Sequence, residues 1–136
     1  MDRSPRMLVV LAVVTALALL YFVNRDPRVG ELNAQLEAAP ELADYPYRFR
    51  VLELADGIAV MSTPRSAEVP VSRFLHAAFP RLRNLPVTDP AMMQAQQQLA
   101  ERQGRAAALV REHPDVSDVR WELDRRWLQS HGVQLP

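Results

Sequence analysis

The chain has 136 residues, of which 49% are hydrophobic, and its sixteen basic residues, all of them Arg, balance sixteen acidic residues. This balance excludes the broad basic field of a nucleic-acid-binding domain, so we expect no nucleic-acid partner. The absence of cysteine excludes disulfides, thiolate metal sites and a cysteine nucleophile.

The first element is an uncharged apolar run at residues 7–23, in which Thr15 is the one aliphatic hydroxyl. As a helix this run covers about 25 Å, the short end of what crosses a bilayer. We therefore predict a tail at 1–6 and a transmembrane anchor at 7–23 in contact with lipid. The chain is then expected to be a single-pass protein of a bacterial inner membrane.

The same segment also fits a cleavable signal peptide, because basic residues precede it and Ala16-Leu17-Ala18 has the small-x-small pattern of a cleavage site. Cleavage there would leave residues 19–23 as an apolar start, which favours an uncleaved signal anchor. A short tail before the first apolar segment favours the N-terminus in the cytoplasm and the domain in the periplasm.

Residues 24–44 are predicted to be a juxtamembrane helix or linker, ahead of a small domain at 45–136. Asp26 is a suitable N-cap with Pro27 at the first helical position. The apolar residues that follow recur at helical spacing and stop before Pro40.

A β-hairpin is the clearest element of the domain, since Asp56-Gly57 separates two short apolar runs. With those residues as the turn, Leu54 is expected to face Ala59 and Leu52 to face Met61 on the core side. Glu53 is expected to face Val60 on the other side.

Two helices follow, one from Pro70 to Pro80 and a longer one from Asp89 to His113. The seam of the longer helix is unusual because Gln96 and Gln103 alternate with apolar residues. A buried amide without a partner costs about 1–3 kcal/mol. These glutamines must therefore find partners, face a wet groove, or mark where the helix leaves the core. A long helix that lies along the solvent is the favoured interpretation, and a site for a partner helix is the alternative.

Alternating residues at 118–123 predict a half-exposed strand, followed by a helix that Asp124 caps and Gly132 ends. The predicted fold is therefore an α+β domain after one transmembrane helix, in the order TM-α-β-β-α-α-β-α. We expect a three-stranded, largely antiparallel sheet in which the third strand joins the hairpin.

The candidate protein-interaction residues are Gln96 and Gln103 on the long helix, together with Arg125 and Arg126 beside Trp127. The favoured interpretation of this stretch is a strand and a capped helix that each bury one Trp while the charged side chains face water. A protein contact through Arg125 and Arg126 is the alternative, because Arg and Trp are enriched at interface hot spots. A second candidate site is the polar loop at 63–68, through Arg65, Ser66 and Glu68.

No pattern in the sequence indicates catalysis, a cofactor or a metal. His76, His113 and His131 lie far apart and lack the spacing of metal ligands. The Gly-x-Ser-x-Gly motif is absent, Ser-x-x-Lys cannot occur without Lys, and the four glycines form no phosphate-binding loop. We therefore predict no catalytic, cofactor-binding or metal-binding residues.

Several stretches together, at 45–53, 56–62, 64–68 and 120–124, resemble small proteobacterial membrane-anchored proteins of unknown function. Some such proteins are labelled glutamate-ammonia-ligase adenylyltransferase. The Gly-Ser and Asp-x-Asp patterns of that nucleotidyltransferase do not occur in this chain. The resemblance implies a bacterial inner-membrane protein and transfers no functional residue.

The function expected from the sequence is that of a non-enzymatic bitopic protein, an accessory subunit or assembly factor with membrane-protein partners. The alternative is a small membrane-tethered enzyme or ligand-binding domain that uses the 63–68 loop. A concave pocket that includes this loop would favour the alternative.

Overall fold

The computed structural model describes residues 4–24 and 26–136. Over the described residues it forms six α-helices and three strands, so the α+β class is confirmed. The helices are α1 (Pro5–Asn24), α2 (Pro27–Ala38), α3 (Pro40–Ala43), α4 (Val71–Ala78), α5 (Pro90–Arg111) and α6 (Arg125–Ser130). The strands are β1 (Val51–Ala55), β2 (Ile58–Thr63) and β3 (Asp118–Leu123), and a 3₁₀ turn lies at Pro80–Leu82.

Helix α1 contains the predicted transmembrane segment, but the anchor prediction is wrong. Across residues 4–24 and 26–136, no helix combines the length and the apolarity that crossing a membrane requires. The physical reason is length, because seventeen uncharged residues cover about 25 Å of a hydrocarbon core of about 30 Å. The single-pass, inner-membrane and periplasmic assignments depended on this anchor and are corrected with it. The predicted tail at 1–6 falls partly on residues 1–3, outside the described part.

The sheet has the strand order β1-β2-β3, with β1 and β2 antiparallel and β2 and β3 parallel. The third strand joins the hairpin as predicted, but the prediction of a largely antiparallel sheet is wrong for β3. Helix α5 brings the chain back to the turn end of the hairpin, where Asp118 lies opposite Ile58. From there β3 runs in the same direction as β2.

The hairpin turn forms at Asp56 and Gly57, which have φ angles of 52° and 78°. The predicted pairs of Leu54 with Ala59 and of Glu53 with Val60 are confirmed. The predicted pair of Leu52 with Met61 is wrong, because a β-bulge between Val51 and Glu53 brings Val51 opposite Met61. Leu52 is therefore 50% exposed, while Val51 is buried in the core.

Aspartate caps begin three of the helices, as the sequence predicts. Asp26 accepts a hydrogen bond from the main-chain amide of Arg28, and Asp89 accepts one from that of Ala91. Asp124 caps α6 by accepting from the amide of Trp127 at 3.0 Å. Each cap satisfies a main-chain donor that the helix itself leaves free.

Helix α2 packs on the domain, and its Leu32 and Leu36 are buried in the core. It lies along the outer edge of β1. The Asn33 side-chain amide donates to the carbonyl of Val51 at 3.0 Å, and its Oδ1 accepts from the amide of Val51 at 2.7 Å. The side chain of Asn33 thus occupies the place of a neighbouring strand at this edge.

The core lies between the sheet and helices α2, α4 and α5. Met61 from the central strand, Phe74 from α4 and Leu99 from α5 are fully buried. Tyr47 and Trp127 pack edge-on with ring centroids 5.7 Å apart, which brings α6 onto the same core. This packing leaves α1 and the outer edge of β3 outside the core.

Candidate interaction site

The most exposed apolar surface of the molecule belongs to α1. Its large apolar side chains are between 51% and 68% exposed, with Val13 and Met7 at the two limits. The exposed residues include consecutive positions from Met7 to Leu11, and consecutive residues point about 100° apart around a helix. The helix is therefore apolar on every side, and the described domain covers none of these faces.

The polar group in the middle of α1 is satisfied within the helix itself. Thr15 Oγ1 donates to the carbonyl of Leu11 at 2.8 Å. All other side chains between Met7 and Leu20 are aliphatic or thioether groups. This part of α1 therefore offers a partner no hydrogen bond, and burying it in an apolar surface leaves no side-chain polar group unpaired.

The two glutamines of the α5 seam have different environments. Gln103 is 8% exposed, and its Oε1 accepts from the hydroxyl of Thr63 on β2 at 3.0 Å. Its amide is thus engaged inside the domain. Gln96 is half-buried beside Ala95, which takes the core position instead.

The predicted loop site and the predicted arginine site meet each other. Arg125 Nη2 lies 3.5 Å from Glu68 Oε2, and both side chains are largely exposed. Ser66 Oγ accepts from the main-chain amides of Glu68 and Val69, each at 3.2 Å. These contacts order the loop and occupy the hydroxyl, while Arg65 is half-buried beside it.

Arg126 lines a wide groove of about 1300 Å³ between α2 and the outer face of the sheet. Arg125 lines the same groove, with Glu53 and Glu122 from the edge strands. Charges of both signs therefore surround this groove.

A second concave region lies between α4 and the C-terminal segment, with a volume of about 400 Å³. Its charged and titratable lining groups are Arg73, His76, Arg83 and His131, and no acidic residue lines it. A ring nitrogen of each histidine lies against a main-chain carbonyl: His76 Nε2 is 3.0 Å from that of Leu85, and His131 Nδ1 is 2.8 Å from that of Trp127. The sequence did not indicate this cleft, because α4, Arg83 and the C-terminus are brought together only by the fold.

Two buried tyrosines precede the sheet and differ in their hydrogen bonding. The Tyr47 hydroxyl donates to Asp124 Oδ2 at 2.9 Å, whereas the buried Tyr45 hydroxyl has no hydrogen-bond partner among the described residues. Burial raises the pKa of Tyr45 to about 12, and burial also raises the pKa of Tyr47. Both phenols therefore stay protonated at neutral pH and serve packing.

Ion pairs hold α2 and α3 against the rest of the domain. Arg28 bonds to both Asp26 and Asp115, and Arg105 on α5 bonds to Glu41. The hydrogen bond from Arg28 lowers the pKa of Asp26, and the hydrogen bond from Arg105 lowers the pKa of Glu41. All of these groups lie at the surface, so each pair adds only a small stabilisation.

The outer edge of β3 is a further site that sequence reasoning missed. The amide of Asp118 donates to Gly57 and that of Asp124 donates to Thr63, so the even-numbered residues face β2. Main-chain groups alternate in direction along a strand, so those of Val119, Trp121 and Leu123 point outward. Alternation in the sequence predicted the strand, but only the sheet order shows that this edge has no neighbouring strand within the described part of the chain.

No group of three or more His, Asp or Glu side chains that could hold a metal ion occurs within residues 4–24 and 26–136. Comparison of the chain with protein-family models, with curated proteins and with solved structures finds no match.

Proposed function

We propose that this chain is a non-catalytic, protein-binding subunit of a larger protein assembly, and that α1 is the segment that the partner buries. The observation that carries this proposal is the exposure of large apolar side chains on every face of α1. A helix that is apolar all round belongs inside an apolar environment. Large contiguous apolar patches on a protein surface mark interaction sites.

The partner expected from this surface is a protein with a deep apolar groove between helices. One flat patch would cover one face of α1 and leave the opposite face in water. Full burial of a Leu or Val side chain contributes about 1.5–3 kcal/mol, so enclosing even a few of these residues supports a stable complex. Arg6, at the start of α1, stays at the rim because a buried unpaired charge is costly.

The test is reconstitution of the complex from purified components, after the partner has been identified by cross-linking in the native cell. Leu11→Arg with Leu17→Arg places two charges within α1 and should abolish a stoichiometric complex. Val87→Arg is the matched control, because Val87 is 52% exposed on the domain, outside α1. The control should bind as the native chain does.

Two outcomes would overturn the proposal. One is that the Leu11→Arg and Leu17→Arg variant keeps full binding. The other is that the purified chain binds vesicles of phosphatidylcholine and phosphatidylglycerol through α1, while no partner protein is isolated with it in fixed stoichiometry. Circular dichroism of each variant checks that the domain stays folded.

A second candidate function is the binding of a small anion in the cleft between α4 and the C-terminal segment. The observation that favours it is a lining of two arginines and two histidines without an acidic residue. Arg73 also lines an adjoining cleft of about 290 Å³ that begins at Glu68, the last predicted residue of the loop site. Guanidinium groups bind phosphate and carboxylate through charge-assisted hydrogen bonds.

Titration with inorganic phosphate, followed by nuclear magnetic resonance of the His76 and His131 rings, tests this candidate. Arg73→Gln with Arg83→Gln should abolish the saturable shifts, whereas Arg48→Gln, an exposed residue that does not line the cleft, should not. Shifts that persist in the Arg73 and Arg83 variant would show non-specific binding and would remove the candidate.

A further inference from the structure

We propose that two copies of this chain associate through the outer edges of their β3 strands, in antiparallel register about a two-fold axis at Trp121. The two sheets then form one continuous sheet with the order β1-β2-β3-β3-β2-β1. This inference does not rest on the function proposed for α1, because it concerns a separate surface.

The first support is the free main chain of the edge. Among the described residues, the amides of Trp121 and Leu123 donate no hydrogen bond outside the strand ladder, and their carbonyls accept none. The amide of Val119 is held by the carboxylate of its neighbour Asp118 at 2.8 Å. Unpaired groups of this kind are a template for another strand.

The second support is the direction in which these groups point. A two-fold axis at Trp121 places Trp121 opposite its own symmetry mate, and both residues direct their amide and carbonyl to the shared edge. The pair then exchanges both hydrogen bonds, as an antiparallel hydrogen-bonded pair does. The amide of Leu123 reaches the carbonyl of Val119 in the second copy.

The third support is the charge pattern of β3, which indicates that a second copy of this chain pairs with the edge. The same axis places Arg120 opposite Glu122 of the second copy, and Glu122 opposite Arg120 of the second copy. These are non-hydrogen-bonded pairs, whose side chains lie closest across an antiparallel ladder. Both side chains are exposed, and neither has an ion pair within the described residues.

Edge strands often carry charge to prevent pairing, and a single sign of charge would keep two copies apart. Here opposite signs stand on either side of Trp121, so the two-fold axis pairs Arg120 with Glu122 at the centre of the ladder.

The next pair on this face places Asp118 opposite Asp124 of the second copy. Within its own copy Asp118 lies 3.7 Å from Arg111, and Asp124 is bonded to Tyr47 and to the amide of Trp127. Val119 then faces Leu123 of the second copy on the core side. A register centred on Val119 would instead place Leu123 opposite Asp115, outside the strand.

The experiment measures association of the full chain by sedimentation velocity, in a mild detergent that covers α1. The native chain should show a concentration-dependent species of twice the 15.4 kDa protein mass. Arg120→Glu and Glu122→Arg, each alone, bring like charges together at both pairs and should weaken association about tenfold or more.

Mixing the two single variants is the decisive arm. Arg120→Glu in one copy and Glu122→Arg in the other restore opposite charges at both pairs, so the mixture should form a heterodimer. The Arg120→Glu, Glu122→Arg double variant should form a homodimer for the same reason. Arg48→Glu is the control for charge reversal at an exposed site away from the strand.

A cross-linking arm tests the register itself. The chain has no cysteine, so Arg120→Cys and Glu122→Cys variants each carry one thiol. Oxidation should form a disulfide efficiently in the mixture of the two variants and poorly in either alone, because only the mixed pair is directly opposite.

Four outcomes would overturn the proposal, and the first three concern association of the chain with itself. The first is that the native chain is a monomer at every concentration. The second is that the Arg120→Glu and Glu122→Arg variants each associate as strongly as the native chain. The third is that the mixture of these two variants does not associate although the native chain does. The fourth is binding of an extended peptide from another protein to β3 as a monomer, which would assign the edge to that partner instead.

Discussion

The two edges of the sheet are treated in opposite ways. At β1, the Asn33 side chain hydrogen-bonds both the main-chain amide and the carbonyl of Val51, and a β-bulge removes Leu52 from the ladder. At β3, the main-chain groups of Trp121 and Leu123 have no such cover within the described residues.

The two edges differ in whether a side chain blocks the pairing of another strand. An amide side chain that donates and accepts at one residue imitates a strand and ends the sheet at that point. The β3 edge carries opposite charges on either side of Trp121. The closed edge therefore belongs to the fold, and the open edge is the one available for association.

Loss of Asn33 should have the largest effect, because it opens the closed edge. Asn33→Ala leaves the amide and carbonyl of Val51 without partners in a partly buried position, which should reduce the free energy of unfolding by about 2–4 kcal/mol. Urea denaturation measures the change. Gln35→Ala, an exposed change on the same helix, should alter stability by less than about 0.5 kcal/mol. Equal effects of the two changes would contradict the role given to Asn33.

The next effect concerns Tyr47, which joins the residues before β1 to the residue after β3. Tyr47→Phe removes the donor to the Asp124 carboxylate and should cost about 1.5–3 kcal/mol. Tyr45→Phe is the matched control, since the Tyr45 hydroxyl is buried without a partner among the described residues. Its removal should leave the stability unchanged or raise it by about 1 kcal/mol. Thermal unfolding of both variants checks the contrast, which a destabilised Tyr45→Phe would contradict.

A smaller effect is expected at the end of the central strand, where Thr63 donates to Gln103. Thr63→Val or Gln103→Leu alone leaves one buried polar group unpaired and should cost about 1–2 kcal/mol. The double variant replaces both partners with apolar groups and should cost less than the sum of the two changes. A double-mutant cycle from urea denaturation measures the coupling, and strictly additive effects would show that the pair does not interact.

The smallest expected effect is a weakening, at acid pH, of the ion pairs that hold α2 and α3 beside the β1 edge. The folded-state pKa values of Asp26 and Glu41 lie below their ordinary values of 3.8 and 4.5. Their ion pairs are therefore formed above those values, and their stabilisation is lost as the pH falls through and below them. Protection of the Val51 amide from hydrogen exchange should therefore fall as the pH drops below about 5, and should continue to fall below the ordinary pKa values of the two groups.

Asp26→Asn with Glu41→Gln is the control for the acid effect. This variant lacks both carboxylates, so the protection at Val51 should be lower at neutral pH and should change less on acidification. A native chain whose Val51 protection is independent of pH would contradict the link between these ion pairs and the edge.

Local signals in the sequence predicted most elements of the fold. The Asp56-Gly57 turn, the aspartate caps and the proline boundaries each depend on a few neighbouring residues, and all of them are found as predicted. The bulge at Leu52 and the direction of β3 were missed. Neither has a local signature, because the bulge depends on how β1 packs against the core and the direction of β3 depends on the path of the helices before it.

The candidate sites were harder to predict for the same reason. The partner of Gln103 lies 40 residues away in sequence, and Glu68 meets Arg125 across 57 residues. The prediction for residues 7–23 rested on composition and on a length at the limit of what crosses a bilayer. The free edge at β3 is a property of the sheet order, which no single segment encodes.

The hairpin turn also sets the alignment of a distant strand. The carbonyl of Gly57 accepts from the amide and hydroxyl of Ser117, at 2.7 Å and 3.0 Å, and from the amide of Asp118 at 3.2 Å. Gly57 has a φ of 78°, and a Cβ there would lie 2.6 Å from the Ser117 hydroxyl oxygen, so the backbone conformation and the contact both favour glycine.

This contact makes the length of the preceding segment a constraint on evolution and on design. Residues inserted between His113 and Ser117 would have to bulge out of this short link for Ser117 to keep its bonds to Gly57, because a one-residue slip of β3 would turn its apolar side chains toward solvent. Residues inserted at 84–88, on the far side of α5, would change no strand alignment. We therefore expect natural and engineered insertions to be more frequent in the loop before α5 than in the short link after it.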